Sequence, residues 1–129
     1  MQLAFLEDEF SVLKLDSFPS DVLDKPFAFA ARTDGECSLV CRSQDAPRAF
    51  VSCEPGWRAF RVTGVLDFSL IGILSAITQV LSQARIGVFV ISTFDTDYVL
   101  VKSENEANAK EVLAHAGYDI LKPEGNRSL

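Results

Sequence analysis

Val90-Ile-Ser-Thr-Phe-Asp-Thr-Asp-Tyr-Val-Leu-Val-Lys102 carries an apolar run, an acidic turn and a second apolar run, the pattern of a strand, a tight turn and a returning strand. An earlier stretch, Phe29-Ala-Ala-Arg-Thr-Asp-Gly-Glu-Cys-Ser-Leu-Val-Cys41, lines up on it without gaps at an offset of 61 positions. Asp34 falls on Asp95, Glu36 on Asp97, Leu39 on Leu100 and Val40 on Val101. Identity is low, so the physical pattern carries the match. It predicts two related small units, with the acidic turn of the second as the leading candidate for a ligand contact.

Working outward from that turn, Trp57-Arg-Ala-Phe-Arg-Val-Thr63 reads as a strand ending at Gly64. Leu70, Ile73, Leu74, Ile77, Val80, Leu81 and Ala84 then recur at helical spacing, which predicts a long amphipathic helix over Phe68–Ala84. Asp67 and Ser69 lie at its start, where a side-chain oxygen accepts from an orphan backbone N–H. Gly87 marks the exit, and Val88-Phe-Val-Ile91 is a short apolar run typical of a central strand. After Tyr98-Val-Leu-Val101, Ser103 and Glu106 match a capping box, and Ala109, Val112, Leu113 and Ala116 continue a second helix. Gly117 is placed as its stop, and Tyr118-Asp-Ile-Leu121 closes as a short strand. The order is β-α-β-β-α-β, an α+β unit with an antiparallel sheet and both helices on one face.

The first 56 residues read as a shortened version of the same arrangement. Ser11-Val-Leu-Lys-Leu15 is a strand, and Pro19 to Lys25 is too short for more than a turn of helix. Phe27 to Ala31 and Cys37 to Val40 form a hairpin around Thr33-Asp-Gly-Glu36. Ala49-Phe-Val-Ser52 is a further strand before Glu54-Pro-Gly56, the expected boundary. The expected domains are therefore 1–56 and 57–129. Glu7-Asp-Glu9 reads as a solvated acidic face.

Composition narrows the function. With 12 basic and 18 acidic residues the net charge is −6 and the isoelectric point about 4.7. Without a Lys/Arg cluster the chain lacks the footprint of phosphate-backbone binding, so nucleic acid is not an expected partner. No apolar run reaches the roughly 18–20 residues of a spanning helix, and the acidic start is unlike a signal peptide. A cytoplasmic location is expected, with no membrane partner. The three cysteines, Cys37, Cys41 and Cys53, contain no C-x-x-C, and the single histidine, His115, has no partner at zinc-ligand spacing. Free buried thiols and no metal are the expectation. The hydrophobic content of 48% suffices for a core and for a buried subunit interface.

Leu66-Asp-Phe-Ser-Leu-Ile-Gly-Ile-Leu74 together with Ile91-Ser-Thr-Phe-Asp-Thr-Asp-Tyr-Val-Leu-Val101 resembles the small bacterial proteins built from two ACT domains. These are similar to the amino-acid-binding modules of aspartate kinases and to the tandem-ACT arginine sensors of animals. The resemblance covers residues 57–121 well and the first 56 more loosely. It implies two tandem ferredoxin-like (βαββαβ) ACT domains, the first shortened. It also implies small-ligand binding, usually of an amino acid, at interfaces between paired domains, without catalysis.

The residues suit that implication. An amino acid brings a carboxylate and an ammonium, which demand opposite surroundings. The helix start offers unpaired N–H groups and a positive dipole end for the carboxylate. Gly72 has no side chain and admits a close backbone approach. Asp95 and Asp97 suit an ammonium or guanidinium, with the hydroxyls of Thr93 and Thr96 to orient it. The expected ligand contacts are Asp67, Phe68, Ser69, Ile71, Gly72, Thr93, Phe94, Asp95, Thr96 and Asp97. The same side chains also have plain structural uses: Asp67 and Ser69 as helix caps, Asp95 and Asp97 as turn formers. Whether the two groups meet within one chain or across a dimer stays open, as does the identity of the amino acid.

Catalysis is hard to assemble. There is no nucleophile motif, phosphate-cradling loop or H-E-x-x-H pattern, and no cofactor is expected. The expectation is an amino-acid-binding regulatory module, a homodimer that passes its occupancy to a protein partner. The alternative is a structural or interaction ACT protein that regulates another protein and binds no small ligand.

Overall fold

The strand expected at Ser11–Leu15 begins at Gln2 and runs to Leu15 as β1. Leu3 and Phe5 point inward, as do Leu13 and Leu15 further along, the period-2 pattern of a pleated strand. Between them Glu7, Asp8 and Glu9 interrupt the apolar alternation. Glu9 is exposed but not simply solvated: its Oε2 accepts from Ser43 Oγ at 2.9 Å and from the Gly56 N–H at 3.3 Å.

The computed structural model describes residues 1–63 and 72–121. The other elements are β2 (Phe29–Arg32), β3 (Cys37–Arg42), β4 (Ser52–Val62), α1 (Ile73–Gln83), β5 (Phe89–Ser92), β6 (Asp97–Lys102), α2 (Glu106–His115) and β7 (Asp119–Leu121). The chain divides into two compact units, one of Met1–Glu7 with Arg58 onward and one of Asp8–Trp57. β1 and β4 each pass from one unit into the other. Of the strand expected at Ala49–Ser52 only Ser52 is strand: it opens β4, which runs through Glu54-Pro-Gly56 and takes in the expected strand from Trp57 as far as Val62. Gly56 permits this with a φ of +83°, a conformation costly for other residues.

In the helical unit the strands run β7-β1-β4-β6-β5. Residues 58–121 supply the expected α+β ferredoxin-like order, with one addition. The start of β1 lies between β4 and β7, and pairs in parallel with β7 through Gln2↔Asp119, Leu3↔Ile120 and Ala4↔Leu121. In a plain βαββαβ unit the last strand would lie against the first. The core joins Leu3 and Phe5 of β1 to Phe60 of β4, Ile77 and Leu81 of α1 and Leu113 of α2. The Phe5 and Phe60 ring centroids are 4.8 Å apart. Arg58 pairs with Glu106 at 3.5 Å, fastening β4 to the first turn of α2.

α1 starts later than its apolar periodicity suggests. Gly72 precedes it with a left-handed φ of +85°. The glycine is therefore not a penalty inside a helix; the backbone there needs a residue without Cβ. The capping roles expected of Asp67 and Ser69, and Phe68 and Ile71 with them, lie outside the described residues. α2 is preceded by a 3₁₀ turn, Ser103–Asn105, and its N-cap Asn105 makes no side-chain capping bond. At the far end of α1 the left-handed position falls on Arg85 (φ +61°), before the expected stop at Gly87.

The unit of Asp8–Trp57 has the strand order β2-β3-β1. β3 pairs antiparallel with β1 from Phe10↔Arg42 to Leu15↔Cys37. Leu13, Leu15, Cys37, Leu39 and Cys41 form its core. As expected, Pro19–Lys25 forms turns, and the unit has no α-helix.

The two hairpins repeat in structure, at an offset of 60 rather than 61: Phe29↔Val40 in the β2–β3 ladder corresponds to Phe89↔Leu100 in the β5–β6 ladder. The turns agree, with the Thr33 N–H on Glu36 O at 3.0 Å and the Thr93 N–H on Thr96 O at 2.9 Å. Matching the acidic letters slides the alignment by one residue, and a one-residue slip exchanges the two faces of a strand. In the true register Leu39 matches Val99, Cys41 matches Val101, and Thr33 matches Thr93.

Candidate functional site

A cavity of about 340 Å³ opens where the end of β4 meets the β5–β6 turn. Among the described residues it is lined by Arg61, Val62 and Thr63 from β4 and its exit, and by Thr93, Asp95, Thr96 and Tyr98 from the hairpin. Thr96 Oγ1 donates to Val62 O at 2.8 Å and ties the turn to the strand end. Thr93 Oγ1 donates to Thr96 O at 2.9 Å and accepts from the Thr96 N–H at 3.3 Å. Both hydroxyls are thus committed as donors to the backbone, which leaves them as acceptors toward a bound molecule. Their first task is to hold the turn.

Arg61 donates to Tyr98 Oη at 3.0 Å, and its guanidinium carbon stands 5.8 Å from the Tyr98 ring centroid. The bond and the ring contact restrain an otherwise flexible side chain. One wall therefore carries a fixed cation and another the carboxylate of Asp95. A carboxylate fits the guanidinium, where two parallel N–H donors match two oxygens. An ammonium fits Asp95.

Of the residues expected from sequence, the cavity brings together Thr93, Asp95 and Thr96. Asp97 opens β6, and its Oδ1 accepts from Ser92 Oγ at 2.6 Å across the hairpin. Phe94 is 87% exposed at the tip of the turn. Arg61, Thr63 and Tyr98 were not expected. One signal for Arg61 is present in the sequence: Arg58 and Arg61 are three apart, an odd spacing that puts them on opposite faces of a strand. Arg58 shares its face with the buried Phe60 and turns to Glu106, so Arg61 must face the other way.

The corresponding hairpin of the other unit also borders a cavity, of about 270 Å³, where Lys14 and Asp16 meet Arg32, Thr33, Asp34 and Glu36. There Thr33 Oγ1 accepts from both the Gly35 and Glu36 N–H groups at 3.1 Å. Both cavities join a strand end bearing a cation to a turn held by threonine.

No helix of the described residues is long and apolar enough to cross a membrane. No curated protein matches the chain. Among solved structures, it is similar to protein Atu0741 from Agobacterium tumefaciens, at 32% identity over 94% of this chain and 92% of that one, with a TM-score of 0.85. The fold also resembles the regulatory subunit of aspartate kinase from Thermus thermophilus: TM-score 0.63, 10% identity, 91% of this chain and 97% of that one. Aspartate kinase from Clostridium acetobutylicum shares it too, at a TM-score of 0.68 and 14% identity, over 88% of this chain and 34% of the kinase. Residues 52–115, which hold β4 through α2, match the ACT domain family. On that match residues 52–115 belong to the ACT domain family.

Proposed function

We propose that this chain is a non-catalytic regulatory module that binds an amino acid in the cavity between Arg61 and Asp95. The observation that carries the reading is the pairing of a restrained guanidinium with a carboxylate around about 340 Å³, a volume in the range of small-ligand pockets. Arg61 takes the carboxylate, Asp95 the ammonium, and Thr93 and Thr96 accept remaining hydrogens. Asp67, Phe68, Ser69, Ile71, Gly72, Phe94 and Asp97 complete the proposed contact set. Similarity in fold to aspartate kinase regulatory subunits supports a regulatory role. The two hairpins in one register support a tandem origin, with 1–56 and 57–129 as the repeated halves. The module acts in the cytoplasm, as a homodimer that signals to a protein partner.

The test is a thermal-shift screen against the twenty amino acids. A ligand at about 100 times its Kd stabilises by about 2.7 kcal/mol, a shift of several degrees. Arg61→Ala and Asp95→Asn, both at a cavity wall rather than in the core, are expected to remove the shift while the unliganded melt is kept. A screen in which no amino acid raises the melting temperature ends the proposal. The second reading, an interaction protein without a small ligand, draws on the exposure of Phe94. It predicts a stoichiometric protein partner whose binding Phe94→Ala removes.

A further inference from the structure

The hairpin register exposes a further cavity with a different character. Leu39 and Cys41 correspond to Val99 and Val101, which are fully buried in the core that α1 and α2 build. In the unit of Asp8–Trp57 no helix covers that strand face. The turns at Pro19–Lys25 cover it instead, held by the Val22 N–H on Pro19 O at 3.1 Å and the Asp24 N–H on Asp21 O at 3.0 Å. Beneath them remains a cavity of about 410 Å³ with Val22, Ala28, Leu39 and Cys41 in its lining. Its rim is acidic, with Asp21, Asp24 and Asp45 against Lys25. Arg42 offsets Asp45, with its Nε 2.8 Å from the carboxylate. Asp21 and Asp24 still outnumber Lys25.

We propose that this cavity binds a primary alkylamine, with the ammonium at the Asp21–Asp24 rim and the aliphatic chain on Val22, Ala28 and Leu39. Two features set that chemistry independently. The apolar floor favours a chain that leaves water, and the excess of carboxylates favours a cation over an anion or a neutral head. Burial, then the Asp45 carboxylate, pushes the Cys41 thiol up to about 11. At neutral pH the floor is therefore uncharged and attracts the chain rather than the head. The site is separate from the Arg61 cavity in residues and in ligand class.

The test titrates the full chain at pH 7 with hexylamine hydrochloride, hexanol and sodium hexanoate, followed by calorimetry and amide NMR. Hexylamine is expected to bind saturably and to move the amides of Val22, Ala28, Leu39 and Cys41. Hexanol is expected to bind about tenfold more weakly, the worth of one or two exposed charge contacts, and hexanoate not at all. The double variant Asp21→Asn/Asp24→Asn changes only exposed side chains and is expected to bring hexylamine down to the hexanol level. Arg61→Ala is expected to leave hexylamine binding intact, which separates this site from the one proposed above. No saturable hexylamine binding, equal binding of hexanol, or shifts confined to other residues overturns the proposal.

Discussion

Val99 and Val101 in one unit and Leu39 and Cys41 in the other stand at matching places in matching ladders, yet they are covered differently. Over the valines lie two helices; over Leu39 and Cys41 lie turns and a cavity. A strand ladder does not dictate what packs on it. The cover is decided by the connecting segments. Residues 73–83 hold Ile73, Ile77 and Leu81 on one helical stripe, and burial of that stripe supplies most of the stability of so short a helix. The segment after β1 is bounded by Pro19 and Pro26, too close together for a helix to propagate between them.

The largest expected effect uses the same substitution on both sides. Leu113→Ala removes a fully buried side chain that α2 carries into the core, and should cost roughly 4–5 kcal/mol, the upper part of the range for such truncations. Leu39→Ala removes one already bordering a cavity, so fewer contacts are lost, and roughly 2–3 kcal/mol is expected. Denaturant titration of both variants measures the gap. Equal losses would mean that Leu39 is packed beneath the turns as tightly as Leu113 is packed in the helical core.

How much of this contrast could be read beforehand varies with the physics behind each element. The α1 stripe and the β5–β6 hairpin were legible because periodicity and turn chemistry are local. The first half of β1 was not. Glu7, Asp8 and Glu9 break its alternation, and what fixes them as strand is pairing with distant residues, Asp8 with Arg42 at 3.9 Å and Glu9 with Ser43 at 2.9 Å. The acidic residues align at an offset of 61, but the hydrogen-bond register of the two ladders sets it at 60. Turn composition points to Thr93, Asp95 and Thr96, which line the candidate cavity. It does not point to Arg61 and Tyr98, because their meeting depends on β4 lying beside β6.

The comparison sharpens further with pH. Cys41 is raised from 9.0 to about 11, first by burial and then by Asp45 and Cys53. In the unfolded chain the thiol ionises near its ordinary value, while the fold keeps it protonated. The stability tied to this group is therefore whole below pH 9 and is lost as pH rises toward 11, by at most about 2.7 kcal/mol in all. Val101, the matching residue, does not titrate. Melting temperature against pH should fall more steeply over pH 9–11 for the native chain than for Cys41→Ala. Parallel curves would mean that the thiol meets water as freely folded as unfolded.

The smallest effect lies within the helical unit, where α1 and α2 end alike. Ile86 N–H reaches Leu81 O at 3.0 Å, and Tyr118 N–H reaches Leu113 O at 3.1 Å. The Arg85 and Gly117 amides close the inner bonds, to Ser82 O at 2.9 Å and to Ala114 O at 3.0 Å. Both junction residues are left-handed, at φ +61° for Arg85 and +104° for Gly117, but only glycine adopts that region freely. Arg85→Gly should therefore stabilise by ~0.5 kcal/mol, the relief of a strained backbone less the entropy that glycine adds to the unfolded chain. Gly117→Ala should destabilise by ~1 kcal/mol for the reverse reason. A Cβ at Gly117 would meet nothing within 4 Å, so steric crowding cannot supply the loss. If Gly117→Ala is neutral while Arg85→Gly still stabilises, the gain at Arg85 comes from its side chain and not from the turn of the backbone.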